Sequence, residues 1–213
     1  MKRAEPLRLA VLASGRGSNL QAILDHIRKG TLDARVVAVI SNNGNAGALE
    51  IARAEGIPAH HWSRRQFDSD EEYEETGLRL LQECGAELVV LAGYMKIVPE
   101  RIVRAFQHRI LNIHPALLPA FGGKGMYGHF VHQAVIDYGC KVTGVTVHLV
   151  DAEYDTGPPV LQRCVPVMDD DDAETLAARV LKVEHEIYSE AIQLFAKDRI
   201  RIEGRRVKIL PKE

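Results

Sequence analysis

The chain has 213 residues, of which 46% are hydrophobic, and a formal net charge of −2 at pH 7. This size and composition suit one globular domain with a sizeable core, or one domain with a small extension. The near-neutral charge gives no electrostatic reason to expect nucleic acid or an anionic membrane as a partner, and no apolar run approaches the roughly 20 residues of a membrane span. The basic start at Met1-Lys2-Arg3 is not followed by the apolar core of a signal peptide. Cys84, Cys140 and Cys164 are widely spaced without a zinc pattern, which favours reduced core thiols in a cytoplasmic protein.

Short apolar runs alternate with helical patterns in the first half of the chain, which is typical of βαβ units in a mainly parallel sheet. Strands are predicted at 9–13, 35–40, 88–92 and 109–114. Helices are predicted at 19–29, 46–55 and 69–84, followed by a short helix that Pro99 opens in its first position. The predicted fold class is therefore α/β, with a Rossmann-like sheet and helices on both of its faces.

The second half has a different pattern, and here we expect the later strands to be partly antiparallel. A proline- and glycine-rich stretch at 117–127 predicts a mobile loop, and strands are predicted at 141–150, with one more exposed face, and at 160–167. The acidic run 169–172 predicts the solvated start and cap of a long helix. The remaining elements are a helix at 129–138, the apolar stripe of the long helix at Leu176, Val180, Ile187, Ala191 and Leu194, and a hairpin at 199–210 that turns at Glu203-Gly204.

A glycine-rich turn, Ser14-Gly15-Arg16-Gly17-Ser18-Asn19, lies between the first predicted strand and the first helix. Glycines permit a tight turn, and the N–H groups at the helix start, together with Ser18 and Asn19, can hold a phosphate. An ordinary capped βα turn is the alternative. A dinucleotide site is disfavoured because the third glycine of that motif is absent and Asn42-Asn43, rather than an acid, follows the second strand. The turn therefore predicts a monophosphate site.

The stretch Leu111-Asn112-Ile113-His114-Pro115 places an amide and an imidazole on one face of a strand, because side chains alternate along it. Pro115 lacks an N–H group and ends the pairing there. Open α/β sheets tend to place their active sites at such strand ends. A pair of strand-edge side chains satisfied by the backbone is the alternative, and a carboxylate such as Asp155 could meet them only through the fold.

Two further stretches are candidates for binding. A glycine followed by apolar residues at 92–98 could form a slot whose backbone pairs with a flat heterocycle, with core packing as the alternative. Glu184 falls on the apolar stripe of the last helix, so it lies either at the rim of the core or against a cationic or hydrogen-bonding group. His185, one position further, is predicted at the surface. No metal site is predicted, because the histidine pairs at 60/61 and 129/132 offer too few ligands.

Taken together, these motifs resemble those of the folate-dependent glycinamide ribonucleotide transformylases of purine synthesis, the phosphoribosylglycinamide formyltransferases. The resemblance runs from Leu9 to about Ala196. It rests on the turn at 14–20, on 91–95, on 111–119, on Asp155-Thr156-Gly157 and on Glu184-His185. It implies one formyltransferase domain over 1–213, with a phosphate-binding half at about 8–108 and a catalytic and folate-binding half at about 109–213.

The resemblance also implies roles for individual residues. Asn112, His114 and Asp155 would be the catalytic group. The phosphate of glycinamide ribonucleotide would bind to Gly17, Ser18 and Asn19, and Glu184 would contact its ribose or amine. The pterin of 10-formyltetrahydrofolate would be bound by Met95, Lys96, Ile97, Val98, Asn112 and Asp151. The expected partners are these two small molecules, without metal, nucleic acid or membrane, in a cytoplasmic monomer or homodimer.

The chemistry expected from these residues is direct attack of the amine on the formyl carbon. Asn112 and a protonated His114 would donate hydrogen bonds to the developing oxyanion, and Asp155 would raise the pKa of His114 toward neutrality. The chain departs from the family in having Asp70 where an arginine is common, with Arg64 and Arg65 just upstream, and glycine in place of a proline at 121–125. A hydrolase of 10-formyltetrahydrofolate and a non-catalytic phosphate-binding module are the alternatives. Formylation of methionyl-tRNA is disfavoured by the acidic balance.

Overall fold

The computed structural model describes residues 5–211, so residues 1–4 and 212–213 of the predicted domain lie outside the described residues. The chain divides into two compact units, Met1–Leu111 and Asn112–Glu213. The predicted division into a phosphate-binding and a catalytic half falls at about 108/109, close to this boundary. The assignment of both units to one domain stays a prediction.

The first unit is built from βαβ units, as the alternating pattern predicts. Its strands are β1 (Leu7–Leu12), β2 (Ala34–Ser41), β3 (Ala59–His61) and β4 (Leu88–Leu91). Its α-helices are α1 (Ser18–Arg28), α2 (Gly47–Ala54), α3 (Asp70–Glu83) and α4 (Glu100–Ala105), with a 3-10 turn at Arg64–Gln66. The strand order is β3-β2-β1-β4, and β1 pairs in parallel with both β2 and β4. The strand order therefore reverses at β1, and such a switch point is where open α/β sheets bind ligands.

The second unit differs from the first in how its strands pair and in the lengths of its helices and strands. Strand β5 (Ile110–His114) runs from the first unit into the second. It is followed by α5 (His129–Asp137), β6 (Val142–Leu149), β7 (Pro159–Pro166), α6 (Ala173–Ala196), β8 (Ile200–Glu203) and β9 (Arg206–Ile209). Strands β6 and β7 are antiparallel, and β8 and β9 form the predicted hairpin. The α/β fold class, mainly parallel with later antiparallel strands, is confirmed.

The prediction that strand β6 has one more exposed face is wrong, because both of its faces are buried. Only its first residue, Val142, is exposed, at 52%. Two of the polar residues that suggested an exposed face, Thr146 and His148, are buried with hydrogen-bond partners for their polar atoms. Thr146 shows this, since its hydroxyl donates to the carbonyl of Ala116 at 2.7 Å and accepts from the N–H of Leu118 at 3.0 Å. Helix α6 contacts both β6 and β7, which adds to the burial.

The predicted cap at the start of α6 is confirmed, whereas the prediction that the acidic run is solvated is wrong for one of its residues. Asp172 caps the helix by accepting from the N–H groups of Glu174 and Thr175. Asp171, however, is only 3% exposed at its side chain and forms a two-pronged ion pair with Arg179 at 2.5 and 2.7 Å. The Arg179 guanidinium holds the pKa of the Asp171 carboxyl well below its usual range. The apolar stripe predicted for this helix is confirmed, since all five of its residues are buried.

The three cysteines are free thiols but are not core residues. Cys84 and Cys140 are half-buried and Cys164 is exposed on β7. The prediction of core thiols is therefore wrong for all three. Burial raises the pKa of the Cys84 thiol. Among residues 5–211 the helices are all too short or too polar to cross a membrane.

Candidate active site

The turn between β1 and α1, residues 14–19, is hereafter called the phosphate turn. Gly17 is the N-cap of α1 with φ +86°, a left-handed conformation that favours glycine. A Cβ at this position would lie 2.8 Å from the Cα of Ala48, so α2 packs directly against the turn. None of the described side chains caps α1, and its first turn carries no acidic residue. The first N–H groups of a helix have no partner within it, so this turn can bind an anion.

The three predicted phosphate-binding residues occupy the start of this helix. Gly17 is buried, Ser18 is exposed, and Asn19 is 8% exposed. The carbonyl of Gly17 accepts the first helical hydrogen bond, from the N–H of Gln21 at 2.9 Å. The helix is therefore well formed from its first turn, and its backbone donors are held in fixed positions.

Residues 93–98, hereafter the donor slot, form the irregular segment between β4 and α4. Gly93 has φ +73° and is exposed, which lets the chain turn directly after the strand. Met95 and Ile97 are 47% and 50% exposed, whereas Val98 is buried. Exposed apolar side chains of this kind suit the face of a flat ring. Lys96, also exposed, adds a cation beside them.

The second unit brings together the predicted catalytic residues and one that sequence analysis missed. Asn112 and His114 project from β5, as the alternation predicts, and His148 projects from β6. The side-chain Nδ2 of Asn112 lies 3.0 Å from Nε2 of His148. The Asp155 carboxylate lies between the two imidazoles, with Oδ2 3.6 Å from Nδ1 of His114 and Oδ1 3.6 Å from Nε2 of His148. We call these four residues the catalytic cluster.

The hydrogen bonds of the cluster indicate where its protons lie. Nδ1 of His148 is 2.8 Å from the carbonyl of Leu149, so this nitrogen carries a proton and Nε2 accepts from the Asn112 amide. Nε2 of His114 is 2.8 Å from the carbonyl of Phe121 and therefore also carries a proton. In neutral His114 the remaining nitrogen, Nδ1, carries no proton. It is therefore a hydrogen-bond acceptor, and it faces Asp155.

Electrostatics in the cluster corrects the predicted pKa of His114. Burial lowers the pKa of His114, and the opposing charge of Asp155 does not make up the difference. Asp155 acts on this pKa in the predicted direction, but the predicted net rise toward neutrality is wrong, because desolvation of a side chain that is 3% exposed outweighs one neighbouring charge. Burial alone raises the pKa of Asp155, but His148, His114 and the N–H of Gly123 together lower it. At neutral pH the cluster thus holds a carboxylate and a neutral His114.

The glycine-rich loop contributes backbone groups to the same cluster. The N–H of Gly123 donates to Oδ2 of Asp155 at 2.9 Å, and the carbonyl of Phe121 accepts from His114. Gly123 has φ +96°, which a proline cannot adopt, and proline has no N–H to donate. The conformation and the hydrogen bond of Gly123 thus give a structural reason for a glycine at this position of the loop. Whether the loop moves stays a prediction.

The other predicted site residues have more varied surroundings. Asp151 is bonded within its own loop, where its Oδ1 accepts from the hydroxyl of Thr156 at 2.5 Å and the N–H of Glu153 at 3.2 Å. Glu184 is half-buried on α6, and His185 is half-buried rather than at the surface as predicted. Arg64 forms an ion pair with Asp70.

The His, Cys, Asp and Glu residues of the described part of the chain do not form a metal centre. In the part of the chain that the structure describes, no group of three or more His, Cys, Asp or Glu residues is placed to hold a metal ion.

One feature of the sequence could have indicated His148, the residue that sequence analysis missed. It is a lone imidazole in an apolar strand, in phase with Thr146 and seven residues before Asp155.

The chain is similar in sequence and in fold to proteins of a known family. Residues 7–192 match the family model described as formyl transferase. The chain is 42% identical over 193 residues to the chloroplastic phosphoribosylglycinamide formyltransferase of Vigna unguiculata, covering 91% of this chain and 62% of that protein. It is 38% identical to the phosphoribosylglycinamide formyltransferase of Haemophilus influenzae, covering 92% and 90%. The crystal structure of glycinamide ribonucleotide transformylase 1 from Symbiobacterium toebii is 46% identical with a TM-score of 0.92, covering 98% of this chain and 96% of that one.

Proposed function

The chain belongs to the formyl transferase family, and within it to the phosphoribosylglycinamide formyltransferases. From this premise we propose that it transfers the formyl group of 10-formyltetrahydrofolate to the amine of glycinamide ribonucleotide. The observation that carries the proposal is the catalytic cluster, in which one carboxylate faces two imidazoles at 3.6 Å each beside an amide donor. A cluster of this kind can take up a proton and donate to a developing oxyanion without a covalent step.

The first step that the cluster serves is removal of a proton from the attacking amine. As the amine nitrogen bonds to the formyl carbon, it becomes cationic and must lose a proton. Nδ1 of neutral His114 is the free acceptor, and Asp155 stabilises the imidazolium that results. His148 is the poorer acceptor, because protonating its Nε2 would displace the Asn112 amide that donates to it.

The second step is stabilisation of the charge on the formyl oxygen. The Asn112 amide has two N–H groups, and the bond to His148 uses only one of them. We assign the second to the oxyanion, where such a donor is typically worth about 10²–10³ in rate. When the bond to N10 of the folate breaks, the electron pair goes to N10, and His114 returns its proton there. Asp155 orients the imidazole and carries no proton of its own through the cycle.

Substrate contacts are assigned to the phosphate turn, the donor slot and two acidic residues. The N–H groups of Gly17, Ser18 and Asn19 suit a phosphate because they lie at the start of α1. The exposed Met95 and Ile97, with Lys96 and Val98, suit the pterin of the folate. The half-buried Glu184 is assigned to the ribose or amine of the ribonucleotide. Asp151, whose Oδ1 is bonded within its own loop, is likewise assigned to the folate.

The decisive experiment incubates the purified protein with 10-formyltetrahydrofolate, with and without glycinamide ribonucleotide. Deformylated folate is followed by absorbance and the formylated ribonucleotide by mass. We expect folate turnover that depends on the ribonucleotide and yields its formylated product. Formate release without the ribonucleotide would instead identify a hydrolase, and binding without turnover a non-catalytic module. The cytoplasmic location and the monomeric or homodimeric state stay predictions.

A further inference from the structure

We propose that the hydroxyl of Ser14 is a positioning group that joins the phosphate turn to the donor slot, so that the binding of both substrates depends on it. The proposal rests on the proposed function, because it concerns the two substrates of that reaction. It assigns Ser14 no contact with either substrate. Its effect is exerted through the backbone of residues that do make such contacts.

Three hydrogen bonds carry the inference. The hydroxyl of Ser14 accepts from the N–H of Met95 at 2.8 Å and donates to Oδ1 of Asn42 at 2.5 Å. The N–H of Ser14 donates to the carbonyl of Gly93 at 3.1 Å. Ser14 is half-buried, so these bonds are partly shielded from water. The first residue of the phosphate turn is thus bonded twice to the donor slot.

The topology explains why one side chain can serve this purpose. Ser14, Asn42 and Met95 follow the carboxyl ends of β1, β2 and β4, which are adjacent in the order β2-β1-β4. The strand order reverses at β1, so the segments that follow β1 and β4 leave the sheet side by side. Backbone bonds continue just past the strand ends, as far as the bond from the N–H of Ser14 to the carbonyl of Gly93, and the Ser14 hydroxyl adds the bond to Met95 beyond them.

The same bonds decide which groups remain for the substrates. The N–H of Met95 is used by Ser14, so recognition of the donor falls to other groups of the slot. The hydroxyl of Ser14, which both donates and accepts within the protein, does not serve the phosphate. Ser14 therefore sets the geometry of two binding segments while contributing to neither directly.

The test is the steady-state kinetics of Ser14→Ala and Ser14→Thr beside the wild-type protein. We expect Ser14→Ala, which removes the two partly buried hydrogen bonds of the hydroxyl, to raise the KM for 10-formyltetrahydrofolate and for glycinamide ribonucleotide about tenfold each. The value of kcat should stay within about threefold, since the catalytic cluster is unchanged. Ser14→Thr keeps the hydroxyl and should restore both KM values. A folded Ser14→Ala protein with an unchanged KM for 10-formyltetrahydrofolate would overturn the proposal.

A double-mutant cycle tests whether Ser14 acts through its partner. Asn42→Ala removes the acceptor of the Ser14 hydroxyl, and Asn45→Ala, an exposed asparagine of the same loop, is the matched control. We expect the Ser14→Ala/Asn42→Ala protein to be no worse than Ser14→Ala alone, whereas full additivity would contradict the proposal. Calorimetric binding of tetrahydrofolate to wild type and Ser14→Ala separates this outcome from failure of the proposed function. Weaker binding by the variant supports the role of Ser14 even without turnover, and equal binding removes it.

Discussion

The phosphate turn and the catalytic cluster are built from different parts of the polypeptide. In the phosphate turn the donors are backbone N–H groups, fixed by the left-handed Gly17 and by close packing on Ala48. In the catalytic cluster the working groups are buried side chains, and the backbone of Phe121 and Gly123 only holds them in place. The phosphate turn depends on a backbone conformation, whereas the catalytic cluster depends on the protonation states of its side chains.

This difference predicts which changes each site tolerates. A backbone site keeps its donors when a side chain is altered, unless the new side chain forces the chain into a different conformation. A cluster of buried, titratable side chains loses its function when one proton or one charge is removed. The largest effect is therefore expected where a charge is removed from the catalytic cluster.

Asp155→Asn should abolish most of the activity while leaving the phosphate turn intact. The amide keeps the shape of the carboxylate but removes the charge that stabilises a protonated His114. We expect kcat to fall by about 10²–10⁴, the usual range for general acid–base catalysis, because His114 no longer takes up the proton without the charge of Asp155. Glycinamide ribonucleotide should still bind with near wild-type affinity, measured by calorimetry.

Glu153→Gln provides the matched control for this prediction, because it makes the same chemical change at an exposed position of the same loop. Its kcat should equal that of the wild type. Near wild-type turnover by Asp155→Asn would remove Asp155 from the mechanism. Loss of ribonucleotide binding in that variant would show that the two sites are not separable as argued above.

Gly17→Ala is the corresponding change to the phosphate turn. A left-handed conformation costs an alanine about 1–2 kcal/mol, and its Cβ would lie 2.8 Å from the Cα of Ala48. We expect the KM for glycinamide ribonucleotide to rise at least about tenfold, with kcat changed much less, in steady-state assays.

Gly15→Ala is the control for the fold of the turn. Gly15 has no positive φ, and no atom of residues 5–211 other than its neighbours lies within 4 Å of a Cβ built there. Its free energy of unfolding should match the wild type to within about 0.5 kcal/mol. If Gly17→Ala and Gly15→Ala bind the ribonucleotide equally well, the left-handed conformation of Gly17 is not what forms the site.

The sequence was most informative where local rules decide the structure. The βαβ order of the first unit, the glycine turn before α1 and the shared face of Asn112 and His114 all follow from periodicity and strand alternation. Strand β3 was missed because it has only three residues, Ala59–His61, and two of them are histidines rather than apolar residues. A strand so short carries no pattern of its own and forms because β2 offers an edge to pair with.

Features that depend on distant contacts could not be predicted in this way. His148 was missed because its partners, Asn112 and Asp155, are distant in sequence and meet it only in the folded chain. The pKa of His114 was predicted in the wrong direction for the same reason. The sequence indicates a neighbouring carboxylate, but the degree of burial, which decides the sign, depends on the packing around both residues.

Acid should destabilise the histidine-rich second unit. His132 is 4% exposed on α5, and burial, followed by the nearby His129 and His114, lowers its pKa to about 4. The unfolded chain therefore binds more protons than the folded chain between about pH 6.5 and pH 4, so stability rises with pH across this window. We expect His132 to contribute about 2 kcal/mol of stability above pH 6.5 that is lost as the pH falls to 4, after a reduction for solvent screening.

Chemical denaturation at several pH values tests this prediction, with His132→Asn as the comparison. The variant should lack this part of the pH dependence, whatever its stability at pH 7. His108→Asn, at an exposed histidine of the first unit that is not among the groups lowering the pKa of His132, is the matched control and should keep the full slope. If the free energy of unfolding rises equally steeply with pH in the wild type and in His132→Asn, another group causes the loss of stability in acid.

The smallest effect is expected at Arg205, which tests how far the catalytic cluster also depends on backbone geometry. Its guanidinium donates to the carbonyl of Thr156 at 2.7 Å, next to Asp155. The same turn is held by the Asp151–Thr156 bond and by Gly157, where a Cβ would lie 1.8 Å from the carbonyl oxygen of Leu149. Because these internal restraints remain, Arg205→Ala should lower kcat only about two- to fivefold, the effect of one exposed hydrogen bond.

Arg206→Ala, which removes the adjacent guanidinium of the hairpin, should leave kcat unchanged and so control for the loss of positive charge. A fall of 10² or more in Arg205→Ala would show that Asp155 is positioned from the hairpin rather than from its own loop. In that case the contrast between the two sites would narrow, since the side-chain cluster would then depend on backbone placement as strongly as the phosphate turn does. An unchanged kcat would instead place the whole restraint on Asp155 within residues 151–157, where Gly157 is the residue that leaves no room for a side chain.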